Sequence, residues 1–207
     1  MYISKSIKVY LDDLAARKAA PGGGSAAALA GSLGVALIEM MINYTIGNPK
    51  YNEAEDEMRS LLGRAEELRM ALESLVDRDV EMYRRVSEAK KMPRESKDER
   101  EKREAAIQKA LKDATAIPMD ICRCALRAIK ICPTILEKGN IYLSSDAGVA
   151  SELLEASFNA ALLNVYINLK DIKDDSFVLS TRAALESMER EVLSIKEAVW
   201  AKLKKEG

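Results

Sequence analysis

Histidine is absent from this chain of 207 residues. That absence excludes a histidine-based catalytic triad, a histidine zinc site and a histidine general base. Proton transfer, if the chain is an enzyme, must use Asp, Glu, Lys, Tyr, Cys or water. Aromatic residues are scarce, with two Phe and one Trp. No segment alternates cleanly with period two, so strand signals are nearly missing. Neither sign of charge is in excess. The formal net charge is −1, which gives no field to gather nucleic acid or an anionic membrane, and neither is expected as a partner. Cysteine is limited to Cys122, Cys124 and Cys132. An odd, clustered set is not a disulfide framework and fits a reducing cytoplasm. Their spacing offers no fourth ligand, so ordinary buried thiols are expected and no metal. The N-terminal MYISKSIKVYLDDL has neither a long apolar run nor a cleavage site, so no signal peptide is expected. The most apolar stretch, Ser25 to Ile46, carries Glu39 and Asn43 and reads as a buried helix rather than a membrane span.

What is present is helix-forming. Apolar residues make up 48% and charged residues 31% of the chain, the balance of a folded protein. The expected fold is all-α: a single-domain up-and-down bundle of about six helices spanning residues 1–207. Breakers divide it. A short helix over about 4–18 puts Ile7, Leu11 and Leu14 on one face. Pro21-Gly22-Gly23-Gly24 forms a loop, with Ser25 as N-cap of a helix running to about Gly47. A long helix covers Glu53 to Lys91. The charged run Arg94 to Arg103 is a solvated connection or helix start. The next helix runs from about Glu99, kinks near Pro118 and ends at Pro133. Ser144 or Ser145 caps a helix reaching about Ile172, and Asp174 or Asp175 starts the last one.

Three places could carry chemistry. The long helix projects Met58, Leu61, Leu62, Ala65, Leu68, Leu72, Leu75, Val76 and Val86 as one apolar stripe. Asp79 falls near its middle, with Tyr83 one turn on. A carboxylate there must be paired, protonated or used, and burial raises its pKa toward the range of a general acid or base. The alternative is a buried Asp bonded to a helix terminus or an arginine. The consecutive glycines allow backbone N–H groups to approach a ligand at a helix N-terminus, or simply make a tight turn into a closely packed helix. They match neither a P-loop nor a dinucleotide fingerprint. Asn164 and Asn168 sit one turn apart on an otherwise apolar helix, with Ser157 and Ala160 on the same face. They either lock helices together or bind a polar ligand. Asn140 and Asp146 flank a loop and helix start, where an Asp usually caps.

Three segments together are specific: PGGGSAAALAGSLGVALIEM, VDRDVEMYRRV and GNIYLSSDAGVASELLEASFNAALLNVYINLKDI. In this order and separation they resemble the formiminotransferase-cyclodeaminase C-terminal domain family, which includes stand-alone methenyltetrahydrofolate cyclohydrolases. The resemblance spans essentially the whole chain. It implies an all-helical homodimer that binds tetrahydrofolate derivatives, with no cofactor beyond that substrate. It implies closure of 5-formimidoyltetrahydrofolate to 5,10-methenyltetrahydrofolate with loss of ammonia, or hydrolysis of the methenyl form to 10-formyltetrahydrofolate. It implies Asp79 as the catalytic residue. Gly22, Gly23, Gly24, Ser25, Tyr83, Asn140, Ser145, Asp146, Asn164 and Asn168 become ligand-pocket candidates, with Lys170 for the glutamate tail. A non-catalytic helical dimer module is the reading from another class.

Overall fold

A computed structural model describes residues 1–206. It contains α1 (Ile7–Ala15), α2 (Gly23–Asn43), α3 (Glu55–Lys91), α4 (Lys97–Ile129), α5 (Cys132–Lys138), α6 (Ser144–Leu169) and α7 (Asp175–Glu206). Two 3₁₀ turns, Pro49–Ala54 and Ile141–Leu143, join the longer helices. No strand occurs among the described residues. The all-α expectation holds, with one helix more than expected. Pro133 does not end α4. It opens α5, because a proline in the first turn of a helix has no N–H to waste.

The ends follow local chemistry. Gly47 takes φ +75°, a left-handed conformation suited to glycine, just after α2. Asn48 then accepts from the Lys50 N–H to cap the first 3₁₀ turn. Met92 is extended ahead of Pro93 and stops α3. Ser96 and Glu99 make a reciprocal capping box that starts α4. Asp174 accepts from the Phe177 N–H and so caps α7.

Helices α2, α3, α4 and α6 form a ring in which α2 and α4 each touch both α3 and α6. One end of the ring gathers the start of α2, the C-terminal half of α3, the middle of α4 and the end of α6. Successive ring helices therefore run in opposite directions, the expected up-and-down order. Helix α7 packs outside, on α6 and α4.

The apolar stripe of α3 turns inward as its period requires. Met58, Leu61, Ala65, Leu68, Leu72, Leu75 and Val76 are buried, and Leu62 and Val86 lie at the core's edge. Helix α2 is long and apolar enough to cross a membrane by composition, yet it packs between α3 and α6 with Val35, Ile38, Met41 and Ile42 buried. Its glycines permit that approach. A Cβ on Gly31 would lie 2.7 Å from Ser157 Oγ, and one on Gly34 would lie 2.9 Å from Leu154. The Ser157 hydroxyl donates to the Ala27 carbonyl at 2.8 Å and ties α6 to α2. Glu39, the acid inside the apolar stretch, accepts from Arg69 Nε on α3 at 2.9 Å.

Helix α1 packs Leu14 against the core as expected but departs from expectation at the other two positions of that face. Ile7 and Leu11 are 74% and 54% exposed, and Tyr10 is the residue it buries. A nine-residue helix has room for one anchoring turn, and the Tyr10 hydroxyl supplies a polar handle, donating to Ser25 Oγ at 3.2 Å.

Two outward stripes remain. Helix α2 shows Ala26, Leu29, Leu33, Ala36 and Met40 to solvent, wholly or partly, and α6 shows Val149, Leu153, Ala156, Ala160, Leu163 and Ile167. Both repeat with alternating steps of three and four residues, the spacing of a helix-packing seam.

Candidate active site

The ring's open end holds a cavity of about 370 Å³. Gly22, Gly23 and Gly24 form one wall, Asp79, Met82, Tyr83 and Val86 the second, Leu111, Ala114 and Pro118 the third, and Asn164, Ile167 and Asn168 the fourth. Lys90 and Asp171 stand at the rim with their charged groups 3.9 Å apart.

Asp79 sits where α3 passes the first turn of α2. Its Oδ2 accepts the Ser25 N–H at 3.0 Å, so Asp79 satisfies an orphan donor of a helix it does not belong to. Oδ1 carries no protein hydrogen bond, and it is not a buried unsatisfied atom, because it opens on the cavity. Gly24 is required here: a Cβ on it would come within 2.6 Å of the Asp79 carboxyl carbon. Burial pushes the Asp79 carboxyl above the ordinary carboxylate range, and the Ser25 N–H pulls back only part of that shift. The result is a carboxyl group with one oxygen anchored and one free, its pKa raised by burial.

The alternative of a buried Asp bonded to a helix terminus is thus half realised. Capping uses one oxygen, and a purely structural cap would not need the other to face an open cavity.

Ser25 is not the N-cap. Helix α2 begins two residues earlier, with Gly22 as its cap. Ser25 is fully buried, so it reaches the cavity only through the Asp79 carboxylate that its N–H holds. The glycine segment is therefore the first turn of the helix rather than a loop ahead of it. Its free N–H groups and the positive end of the helix dipole face the cavity. Asn164 lies against this turn, with Nδ2 3.6 Å from where a Gly23 Cβ would sit. That same Nδ2 donates to the Ala160 carbonyl at 2.8 Å, which fixes the amide. Asn168 lines the cavity one turn further on, and Tyr83 lines it while half exposed at the rim.

The cavity brings together Gly22, Gly23, Gly24, Asp79, Tyr83, Asn164 and Asn168. It does not bring in Asn140, Ser145, Asp146 or Lys170. Ser145 and Asn164 are separated along α6 by about 29 Å at 1.5 Å per residue. At the far end Asn140 caps the second 3₁₀ turn, accepts from the Tyr142 N–H and donates to the Tyr44 carbonyl. Ser145 lines a shallow groove beside Trp200 and Leu203. Asp146 occupies the first turn of α6, whose cap position is held by Leu143 and not by a serine. Lys170 follows the last turn of α6 and points to solvent, leaving Lys90 as the lysine at the rim.

Sequence reasoning missed the α4 wall. Leu111 and Ala114 look like ordinary core residues, and Pro118 read as a kink. Helix α4 continues through Pro118. Lacking an N–H, Pro118 cannot donate to the Ala114 carbonyl four residues back, and both residues line the cavity. Lys90 was legible: positions 79, 83, 86 and 90 share one face of α3.

The three cysteines lie away from the cavity lining. All are free and buried. Burial pushes the Cys122 and Cys132 thiols up to about 12 and raises Cys124 as well, so none is a ready thiolate. Among the described residues no three Cys, Asp or Glu side chains gather in a metal-binding group.

The formiminotransferase-cyclodeaminase family matches residues 6–187. The chain belongs to this family. Among the family's proteins, the methenyltetrahydrofolate cyclohydrolase of Methylorubrum extorquens is 37% identical over 201 residues, covering 97% of each chain. The formimidoyltransferase-cyclodeaminase of Rattus norvegicus is 33% identical over 91% of this chain, which spans 35% of the rat enzyme. The crystal structure of the Thermotoga maritima formiminotetrahydrofolate cyclodeaminase superimposes with a TM-score of 0.90 at 32% identity, over 99% of this chain and 98% of that one. The family's all-helical fold is thus the fold seen here, over nearly the full length.

Proposed function

We propose that the Asp79 cavity is the active site of an enzyme of one-carbon folate metabolism, which closes 5-formimidoyltetrahydrofolate to 5,10-methenyltetrahydrofolate and releases ammonia. The observation that carries this is the free Oδ1 of a carboxyl group with raised pKa, facing a cavity walled by apolar side chains and amides. Starting from the protonated formimidoyl group on N5, N10 attacks its carbon. Asp79 takes the N10 proton and delivers it to the exocyclic nitrogen. The bond from carbon to that nitrogen breaks, ammonia leaves, and the positive charge is shared between N5 and N10. A carboxyl whose pKa is raised by burial, with one oxygen open to the cavity, suits both the taking and the giving. The apolar walls and the Asn164 and Asn168 amides would hold the pterin, and the helix N-terminus favours whatever negative charge approaches it. Neither this reaction nor the one below changes oxidation state, so no cofactor beyond the tetrahydrofolate substrate is proposed.

A second reading is favoured by the Methylorubrum extorquens relative, which matches end to end and is named a methenyltetrahydrofolate cyclohydrolase. Water adds to the methenyl carbon and Asp79 takes its proton. Asp79 then returns that proton to N5 as the bond from carbon to N5 opens. The hydroxyl loses its proton, leaving a formyl group on N10.

The same proposal includes a homodimer in the cytoplasm. Supporting it are the two outward apolar stripes on adjoining helices, where Leu33, Leu163 and Ile167 are 53%, 64% and 61% exposed. Three free thiols fit a reducing compartment.

An absorbance assay for the methenyl form separates these outcomes. Rising absorbance with released ammonia from 5-formimidoyltetrahydrofolate supports the deaminase. Decay of the methenyl form above the uncatalysed rate supports the cyclohydrolase. A folded protein silent in both assays overturns the proposal in favour of a non-catalytic helical module.

A further inference from the structure

We infer that a second groove beside the cavity, with Arg84 and Lys91 as its cations, holds the glutamate carboxylates of the substrate's tail; this rests on the folate reading above. The groove shares Ala19, Ala20 and Tyr83 with the cavity, so the two adjoin. Its wall is the face of α3 that carries Arg84, Ser87 and Lys91 at steps of three and four residues.

Charge separates this groove from its neighbours. In the cavity Lys90 faces Asp79 and Asp171. In the groove on the other side of α3, Arg85 and Lys109 are balanced by Glu88 and Asp113. Here two cations meet Glu88 alone. Among the described residues neither Arg84 nor Lys91 makes a salt bridge, whereas Arg85 is committed to Glu81. A carboxylate arriving in this groove therefore displaces no existing pair.

Length agrees. Arg84 lies five residues beyond Asp79 and Lys91 twelve, which is about 7.5 and 18 Å along the helix axis. With the reacting carbon at Asp79, a benzoyl ring and one amino acid bring the first glutamate to Arg84. Further γ-linked glutamates continue toward Lys91. Arginine offers the paired donors that a carboxylate accepts, while lysine acts as a point charge.

The test compares substrates carrying one and three glutamates on the wild type, Arg84→Gln, Lys91→Gln and the double variant. Lys170→Gln serves as a solvent-exposed control. The wild type is expected to show a lower KM for the triglutamate, rising with salt as the charges are screened. The double variant is expected to raise the triglutamate KM about tenfold at unchanged kcat, and to lose the salt dependence. Arg84→Gln alone raises KM for both substrates, Lys91→Gln for the triglutamate only, and Lys170→Gln changes neither. A wild type that turns over both substrates with equal KM overturns the tail subsite and leaves the active-site reading standing, as does a double variant indistinguishable from it. A wild type inactive on every folate overturns both.

Discussion

Asp79 is expensive for the fold. Its carboxyl is raised by burial, so in the window between its ordinary unfolded value and its raised folded value the native state binds more protons than the unfolded one. Stability therefore falls as pH rises through that window and levels off above it. Asp79→Asn removes the charge and keeps an oxygen for the Ser25 N–H. The expected outcome is a Tm at pH 7 equal to or above that of the wild type, with a flatter pH dependence, read by thermal melts across the acid range. A lower Tm would mean that the carboxylate contributes to stability in its charged form. Gly24 gives a second residue-scale prediction. Gly24→Ala would force the Asp79 carboxyl off the Ser25 N–H, because the new Cβ and the carboxyl claim the same space. Turnover should fall at least tenfold while Tm changes little, since a short side chain can swing into the cavity. Gly22→Ala, with open space around it, should leave turnover within a factor of two.

At the scale of elements, the closeness of α2 to α6 sets how well the cavity is walled. The same substitution at two helical glycines should give opposite signs. Gly34→Ala pushes a Cβ to 2.9 Å from the buried Leu154 side chain and 3.2 Å from the Ala150 carbonyl. It should destabilise by about 1–3 kcal/mol. Gly63→Ala on α3 meets nothing within 4 Å and should stabilise by about 0.5–1 kcal/mol through backbone entropy alone. Denaturant titrations of both variants check the pair, and equal signs would contradict the close packing described. These elements also show what the sequence could convey. The period of α3 named the inward stripe and put Asp79 within it, because a helix exposes its periodicity in the order of its residues. The Ser25 cap was misplaced because two glycines can enter a helix when a carboxylate from a distant turn satisfies one of its orphan donors, here the Ser25 N–H. The wall from α4 was invisible because Leu111 and Ala114 follow the same pattern whether they face a core or a cavity. Only the arrangement of four helices decides which.

At the scale of the whole molecule, the arrangement separates two motifs that are equally prominent along the chain. The glycine turn and the Asn164-Asn168 pair meet at one end, 142 residues apart in sequence at Gly22 and Asn164. The Asn140, Ser145 and Asp146 segment, closer to Asn164 in sequence, lies at the other. Sequence distance carried no information on this, because an antiparallel helix takes one end of its residues away from the other. The outward stripes belong to this scale as well. If two copies associate through them, Leu33→Glu combined with Leu163→Glu should halve the mass measured by light scattering, since buried like charges oppose association. An unchanged mass would place the subunit contact elsewhere.

The most direct test of the central claim pairs turnover with binding for Asp79→Asn. With Asp79 carrying the proton, kcat for the folate reaction is expected to fall by about 10²–10⁴-fold. A non-reacting tetrahydrofolate analogue is expected still to raise the variant's Tm as it does for the wild type. Turnover that survives in a folded Asp79→Asn protein would contradict that role.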